Sequence, residues 1–315
     1  MSSKITIIGV GSVGSTIAYT IANDNIASEI VLIDIDKGKV EGEVMDIVQG
    51  TAFRDPISIK AGEYADAEGS DIVIITSGVA RKPGQTRIEL VQTNVEILKS
   101  ITPHIVKAAP NAKYIIVSNP VDIITYAFTK ISGLPENQII GSGTLLDTTR
   151  LRFKLSEHFM VAQKNIHGYV FGEHGDSSFV PWSCTEISGV TLEEYEEFMK
   201  NKTGECHTVD REGIEEYVHT SGGQIIANKG ATFYAVSQSV LRLCKILLAA
   251  HDSITTVASM MHGEYGIEDV CLSTLTLVGP DGIQGKIPVK LSEEETQKLH
   301  ASANKLKDVI SQITI

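Results

Sequence analysis

Ile5-Thr6-Ile7-Ile8-Gly9-Val10-Gly11-Ser12-Val13-Gly14 stands at the head of the chain and decides how the rest is read. A β-favouring run enters a G-x-G-x-x-G turn, and residues 15–23 continue with helical character. That order of strand, turn and helix suits a dinucleotide. The glycines permit a tight turn and let a pyrophosphate approach the backbone N–H groups at the helix N-terminus. Gly9, Gly11, Ser12, Val13 and Gly14 are therefore the candidate cofactor-binding turn. A second strand-like run, Glu29–Ile33, ends at Asp34, twenty residues after Gly14. A carboxylate there can hydrogen-bond both ribose hydroxyls and repels a 2′-phosphate, which points to NAD rather than NADP. The bland alternative is a glycine-rich turn that binds nothing.

The pattern repeats outward from this start. Residues 37–53 read as a helix and 71–76 as an apolar strand. The stretch 89–109 reads as a helix that Pro103 must bend or break. Residues 113–118 form a further strand closing on Asn119-Pro120, followed by a helix over 122–131 and a short strand at 138–140. Alternating β and α elements predict an α/β fold: a Rossmann-type doubly wound parallel sheet with helices on both faces. Ligands bind such sheets at the carboxyl ends of the strands. From residue 143 the character changes. The spacing predicts a helix over 145–158 and a strand pair at 165–171 and 181–187. Polar, acidic sequence over 192–216 precedes a long helical region at 217–251. Antiparallel strands at 253–265, 269–278 and 285–289 lead to an amphipathic helix over 291–310. The expected organisation is a dinucleotide-binding domain at 1–142 and an α+β substrate domain at 143–315.

Composition limits the function classes. The 315 residues carry a net charge of −12 with no basic run, which argues against a nucleic-acid partner. No apolar run approaches the ~18 residues of a membrane span, and no signal peptide is visible. Cys184, Cys206, Cys244 and Cys271 are scattered, with no C-x-x-C and no grouping of histidines near them. They read as reduced thiols in a cytoplasmic protein, with no metal site.

Three stretches carry candidate chemistry. Gly172-Glu173-His174-Gly175-Asp176 places a histidine in a glycine-flanked turn, where it can exchange a proton near neutral pH. Asp147 and Arg150 lie three residues apart on one helix face. The loop 79–87 groups Arg81, Lys82 and Arg87 around Pro83-Gly84 and could fold over a site. Each has an ordinary reading as well: a surface turn, a helix ion pair and a solvated loop.

Taken in order, the glycine turn, Asp34, the Lys82-Pro83-Gly84-x-Thr86-Arg87 loop and Ser118-Asn119-Pro120 lead to two further motifs. These are the 143–150 stretch, Gly-Thr-Leu-Leu-Asp-Thr-Thr-Arg, and Gly172–Asp176. On these motifs the chain resembles the lactate/malate dehydrogenase family over nearly its whole length. The resemblance implies an NAD-dependent L-2-hydroxy acid dehydrogenase acting on a small 2-keto or 2-hydroxy acid. It gives His174 the proton-transfer role, Asp147 the orientation of its ring, and Arg150 the grip on the substrate C1 carboxylate. Arg87 would polarise the reacting carbonyl, and Asn119 would contact nicotinamide and substrate. It also implies a homotetramer, and it matches Arg152 and His167 to positions that bind fructose 1,6-bisphosphate between subunits. Within the family the signals divide. Thr232, Gly141-Ser142-Gly143-Thr144 and the Gly-Asp-Ser-Ser after His174 look like the lactate branch. Arg81 looks like the malate branch. A guanidinium facing the far end of the substrate favours a carboxylate over a methyl. The expectation is therefore oxaloacetate/malate, with pyruvate/lactate as the alternative. A catalytically silent NAD-binding protein is the reading from a different class.

Overall fold

In the computed structural model, residues 3–80 and 84–315 are described; Arg81, Lys82 and Pro83 lie outside the described residues. The chain begins β1 (Lys4–Ile8), α1 (Ser12–Asp24), β2 (Glu29–Ile33), α2 (Lys37–Gln49) and β3 (Ser58–Ala61). It continues β4 (Ile72–Ile75), α3 (Arg87–Ala108), β5 (Lys113–Ile116), α4 (Val121–Ser132) and β6 (Ile139–Gly141). These strands pair in parallel in the order β3-β2-β1-β4-β5-β6. Ile72–Ile75 is buried at every residue. Helices cover both faces of a parallel sheet, so a central strand has no polar side to show. The chain runs outward from β1 to β3 and then returns to start β4 on the other side of β1. The carboxyl ends of β1 and β4 are thus the switch point where an open α/β sheet binds its ligand.

The second half opens with α5 (Leu145–Phe159) and a small sheet of β7 (Ile166–His167), β8 (Glu186–Ile187) and β9 (Val190–Thr191). Helices α6 (Leu192–Thr203), α7 (Arg211–Lys229) and α8 (Tyr234–Leu247) follow, then β10 (Ser253–His262), β11 (Glu268–Gly279), β12 (Gly282–Lys286) and α9 (Glu293–Ile310). Strand β10 pairs antiparallel with β6 at Ala258 and Gly141, so the large sheet runs through both halves, with nine strands among the described residues. Gly141 is what lets them meet, since a Cβ there would lie 2.4 Å from Thr125 Oγ1 and 2.9 Å from the Ala258 side chain. Ile17 and Ile21 of α1 share one core with Val240 and Leu243 of α8, which locks the halves together on that face. Leu151, Leu155, Ile166 and Val218 form a separate core beneath the small sheet.

Several elements differ from the sequence reading. The edge strand β3 was not expected; with one buried residue in Ser-Ile-Lys-Ala it carries almost no apolar pattern. Pro103 lies inside α3 without dividing it. The region 217–251 is two helices, because Gly230 adopts φ +87° and ends α7. The acidic stretch 192–216 is largely helical: Thr191 and Glu194 form a reciprocal cap that starts α6, and the Asp210 carboxylate caps α7. The segments 165–171 and 181–187 supply only the short strands β7 and β8. No helix among the described residues is long and apolar enough to cross a membrane. All four cysteines are free thiols.

Candidate active site

The glycine turn after β1 is fixed by steric limits. Gly9 has φ +95°, and a Cβ on it would lie 2.6 Å from the Ser77 nitrogen that follows β4. A Cβ on Gly14 would lie 1.9 Å from the Gly9 carbonyl oxygen. Only glycine satisfies both contacts. Gly11 differs, with nothing among the described residues within 4 Å of an added Cβ. Gly11 is also the N-cap of α1, and neither a capping side chain nor a first-turn acid competes for the helix donors. The turn therefore leaves backbone N–H groups beside open space, which fits a pyrophosphate. Asp34 closes the cradle. Its Oδ2 accepts the Val10 N–H at 2.6 Å and its Oδ1 the Asp36 N–H at 3.2 Å. A dinucleotide would be held by the Gly11–Val13 backbone and by Asp34, and its nicotinamide would supply or accept a hydride.

Val13 leads into a cavity of about 270 Å³ that Asn119, Asp147, Arg150, His174 and Thr232 also line. Each arrives by a different route. Asn119 follows β5, and its carbonyl accepts the Nδ2 of buried Asn94 at 2.8 Å. Asp147 sits in the first turn of α5, where the helix dipole favours a carboxylate. Arg150 stands one turn on, its Nη1 2.8 Å from Asp147 Oδ1. Thr232 lies in the short connection that Gly230 opens between α7 and α8. His174 is carried by a turn pinned on both sides. Phe171 bridges to Phe179 and Gly172 bridges to Ser273 of β11. Gly172 has φ +94°, and a Cβ there would lie 2.7 Å from Ser302 Oγ of α9.

The electrostatics match a proton donor. His174 Nδ1 lies 2.6 Å from Asp147 Oδ2. The Asp147 charge and this hydrogen bond outweigh burial and raise the imidazole pKa to about 9. Burial alone would raise the Asp147 carboxyl, but the His174 and Arg150 charges hold it below its ordinary value. At neutral pH the pair is imidazolium and carboxylate, and Nε2 is free to give a proton to an oxygen in the cavity. The guanidinium of Arg150 can grip a carboxylate beside it.

Not every expected residue lines this cavity. Arg87 begins α3, and its guanidinium rests on the Glu173 carboxylate, outside the cavity lining. Glu173 is buried and also accepts the Ser177 hydroxyl. Arg81 lies outside the described residues. Arg152 is apart from the cavity, donating Nε to the Gly168 carbonyl at 3.0 Å and lying over the Tyr169 ring. His167 is exposed on β7. Four residues escaped the sequence reading: Asn94, Asp122, Glu173 and His219. His219 lines the cavity from α7 with Nε2 3.0 Å from the Ser178 carbonyl oxygen. Asp122 left a usable signal, a carboxylate set in the apolar run Val121 to Ile124. A larger cavity of about 720 Å³ lies between Tyr64 and Lys107, remote from these groups, and we place the chemistry in the smaller one. No group of three or more His, Cys, Asp or Glu side chains among the described residues could hold a metal ion.

Comparison with known proteins gives a consistent result. Residues 3–141 match the family model described as lactate/malate dehydrogenase, NAD binding domain. Residues 144–314 match the model for the lactate/malate dehydrogenase, alpha/beta C-terminal domain. A protein of Clostridium acetobutylicum named L-lactate dehydrogenase 1 is 46% identical over 312 residues, covering 99% of each chain. The L-lactate dehydrogenase of Acetivibrio thermocellus is 46% identical, covering 99% of this chain and 98% of its own. Among solved structures, a lactate dehydrogenase enzyme from a Medee basin deep-sea metagenome library is 36% identical with a TM-score of 0.94, covering 99% and 98%. The minor L-lactate dehydrogenase of Enterococcus mundtii, in a ligands-bound form, is 34% identical with a TM-score of 0.94, covering 100% and 99%.

Proposed function

The chain belongs to the lactate/malate dehydrogenase family, and from that premise we propose that it is an L-lactate dehydrogenase, reducing pyruvate with NADH and oxidising L-lactate with NAD. NAD is its cofactor, and its reaction class is NAD-dependent oxidoreduction of a 2-hydroxy acid. The observation that carries the mechanism is the convergence of His174, Asp147 and Arg150 on one cavity beside the cofactor turn. Arg150 grips the C1 carboxylate and fixes which carbon faces the nicotinamide. His174 gives its proton to the keto oxygen as hydride arrives, and Asp147 holds the ring and stabilises the imidazolium. Arg87 polarises the same oxygen once it exchanges Glu173 for substrate.

Substrate choice is where the reading from Arg81 gives way. The charge of Arg81 favoured oxaloacetate, but relatives that share nearly half of this sequence across its length bear the lactate name, and Thr232 already resembled the lactate branch. We therefore favour pyruvate and keep oxaloacetate/malate as the second reading, on Arg81 alone. The proposal extends to a cytoplasmic homotetramer with fructose 1,6-bisphosphate near Arg152 and His167. Burial and the nearby Arg242 charge both depress the Arg152 pKa, and an anion there would relieve the second effect.

One kinetic panel tests all of this. NADH oxidation is followed with pyruvate and with oxaloacetate, in wild type and Arg81→Gln, with and without fructose 1,6-bisphosphate. Wild type should prefer pyruvate, and Arg81→Gln should widen that preference by roughly ten- to a hundredfold. The bisphosphate should lower KM. A wild type that prefers oxaloacetate restores the malate reading. No turnover with either acid leaves a silent NAD-binding protein. A KM indifferent to the bisphosphate removes the regulatory site.

A further inference from the structure

Behind His174 lies a second carboxylate that the mechanism above does not use. Asp122 is in the first turn of α4, three residues after Asn119, and is 2% exposed. Its Oδ2 accepts the backbone N–H of His174 at 2.7 Å. Its Oδ1 is buried with no hydrogen-bond partner among the described residues. Its flanking neighbours Val121, Ile123 and Ile124 are buried apolar residues. An acid in such surroundings is costly, and an unpartnered oxygen raises the cost. If the only task were to hold a backbone N–H, asparagine would do it without a charge. The carboxylate therefore needs a reason of its own, and a cation whose charge acts on it is the ring of the residue it holds.

We propose that Asp122 is a positioning residue for the proton-donating histidine: it ties the His174 main chain to the start of α4, and its negative charge supports the imidazolium together with Asp147. The inference rests on His174 being the proton donor. It also links the two halves of the site, because the same helix start follows directly on Asn119, at the nicotinamide side of the cavity.

The charges around the pair can be named. His174 responds to Asp147, Asp122 and Arg150. Asp122 responds to His174, Glu173 and Asp147, and Glu173 is itself met by Arg87 and by Lys305 of α9. Cys271 of β11 also faces Asp122, but burial drives its thiol pKa far up, so it stays neutral. Burial raises the Asp122 pKa to about 7, against the pull of His174. The two groups therefore titrate as a coupled pair. As pH rises, Asp122 ionises first and its new charge makes the imidazolium harder to deprotonate. His174 loses its proton later, toward about 9.

The test is a titration of the full chain with ring-labelled histidine, read by NMR, with the His174 signals assigned from their loss in His174→Asn. Wild type should show a minor inflection in the His174 shift near 7 and a major one near 9. Asp122→Asn keeps an oxygen for the His174 N–H and removes the charge. It should erase the minor inflection and lower the major one by roughly half a pH unit or more. The alkaline limb of kcat/KM for the keto acid should move by the same amount, with NADH affinity unchanged. An unmoved midpoint in Asp122→Asn overturns the proposal, and so does a wild-type His174 midpoint at or below the ordinary imidazole value. Should that variant fail to fold, the wild-type curve decides alone. Two inflections in a chain without dehydrogenase activity would support the Asp122–His174 coupling while sinking the lactate assignment.

Discussion

The cofactor turn and the substrate cavity touch at Val13, yet they are built on opposite principles. The turn is local and made of backbone. Gly9 to Asp34 lie within one β-α-β unit, and the critical side chains there are absent ones, at Gly9 and Gly14. The cavity is assembled from distant segments and made of charge. Asn119, Asp147, Arg150 and His174 come from the end of β5, from α5 and from a turn pinned to β11. A site made of backbone should fail by sterics and lose binding. One made of paired charges should fail by protonation state and lose turnover. Substitutions that cross this division are the ones that can break the comparison.

The largest effect should come from the cavity. His174→Asn removes the titrating group and leaves the glycine turn untouched. The expected result is a fall in kcat of roughly a thousandfold or more, since proton transfer and orientation are lost together. NADH affinity, measured by fluorescence quenching, should stay within about twofold of wild type, because the glycine turn and Asp34 are unchanged. A near-normal kcat would take His174 out of the reaction. A collapse of NADH affinity would mean that the two regions are not separable.

Gly14→Val probes the other side with a smaller expected effect. Its Cβ alone would lie 1.9 Å from the Gly9 oxygen and 2.9 Å from the Thr76 hydroxyl, so the turn must shift. Overpacking of this kind costs about 1–3 kcal/mol, which corresponds to NADH binding weakened by roughly ten- to a hundredfold. At saturating NADH, kcat should recover most of its value. If kcat falls and the Kd for NADH does not, steric failure of the turn is being transmitted to the charges, and the comparison is wrong.

The same division explains what could be read without coordinates. The parallel sheet, its glycine turn and Asp34 follow from short-range patterns, because the turn directly follows β1 and the carboxylate directly follows β2. The placing of His174 beside Asp147 does not. Neither periodicity nor composition brings residue 174 to residue 147; that pairing came from motif resemblance, and it depends on the Phe171 and Gly172 bridges. Strand β3 was missed because an edge strand needs little apolar pattern. The break at Gly230 was missed because one glycine in a helical run is a weak signal. Glu173 is not marked in the sequence because a buried acid reads as an exposed one until its surroundings are known, whereas Asp122 is marked only by its apolar neighbours. The resting contact of Arg87 with Glu173 was equally invisible.

The smallest effect, and the sharpest test of the division, is at Asp34, where a charge serves the backbone-built region. Its Oδ2 holds the Val10 N–H at 2.6 Å, so it is a strut of the turn as well as the group proposed to face the ribose. Asp34→Asn separates the two tasks. The amide oxygen can still accept from Val10, which preserves the turn, while the charge that opposes a 2′-phosphate is gone. Wild type should use NADPH clearly less well than NADH, because the added phosphate meets a carboxylate. In Asp34→Asn the NADH-to-NADPH ratio of kcat/KM should fall by roughly tenfold, the worth of one charged contact of about 1.5 kcal/mol. Most of that change should be a gain with NADPH rather than a loss with NADH, since the neutral amide still offers the ribose an acceptor. An unchanged ratio would place the discrimination elsewhere on the cradle. An equal loss with both cofactors would show that Asp34 acts as a strut alone, and that even this carboxylate belongs to the region that works by shape.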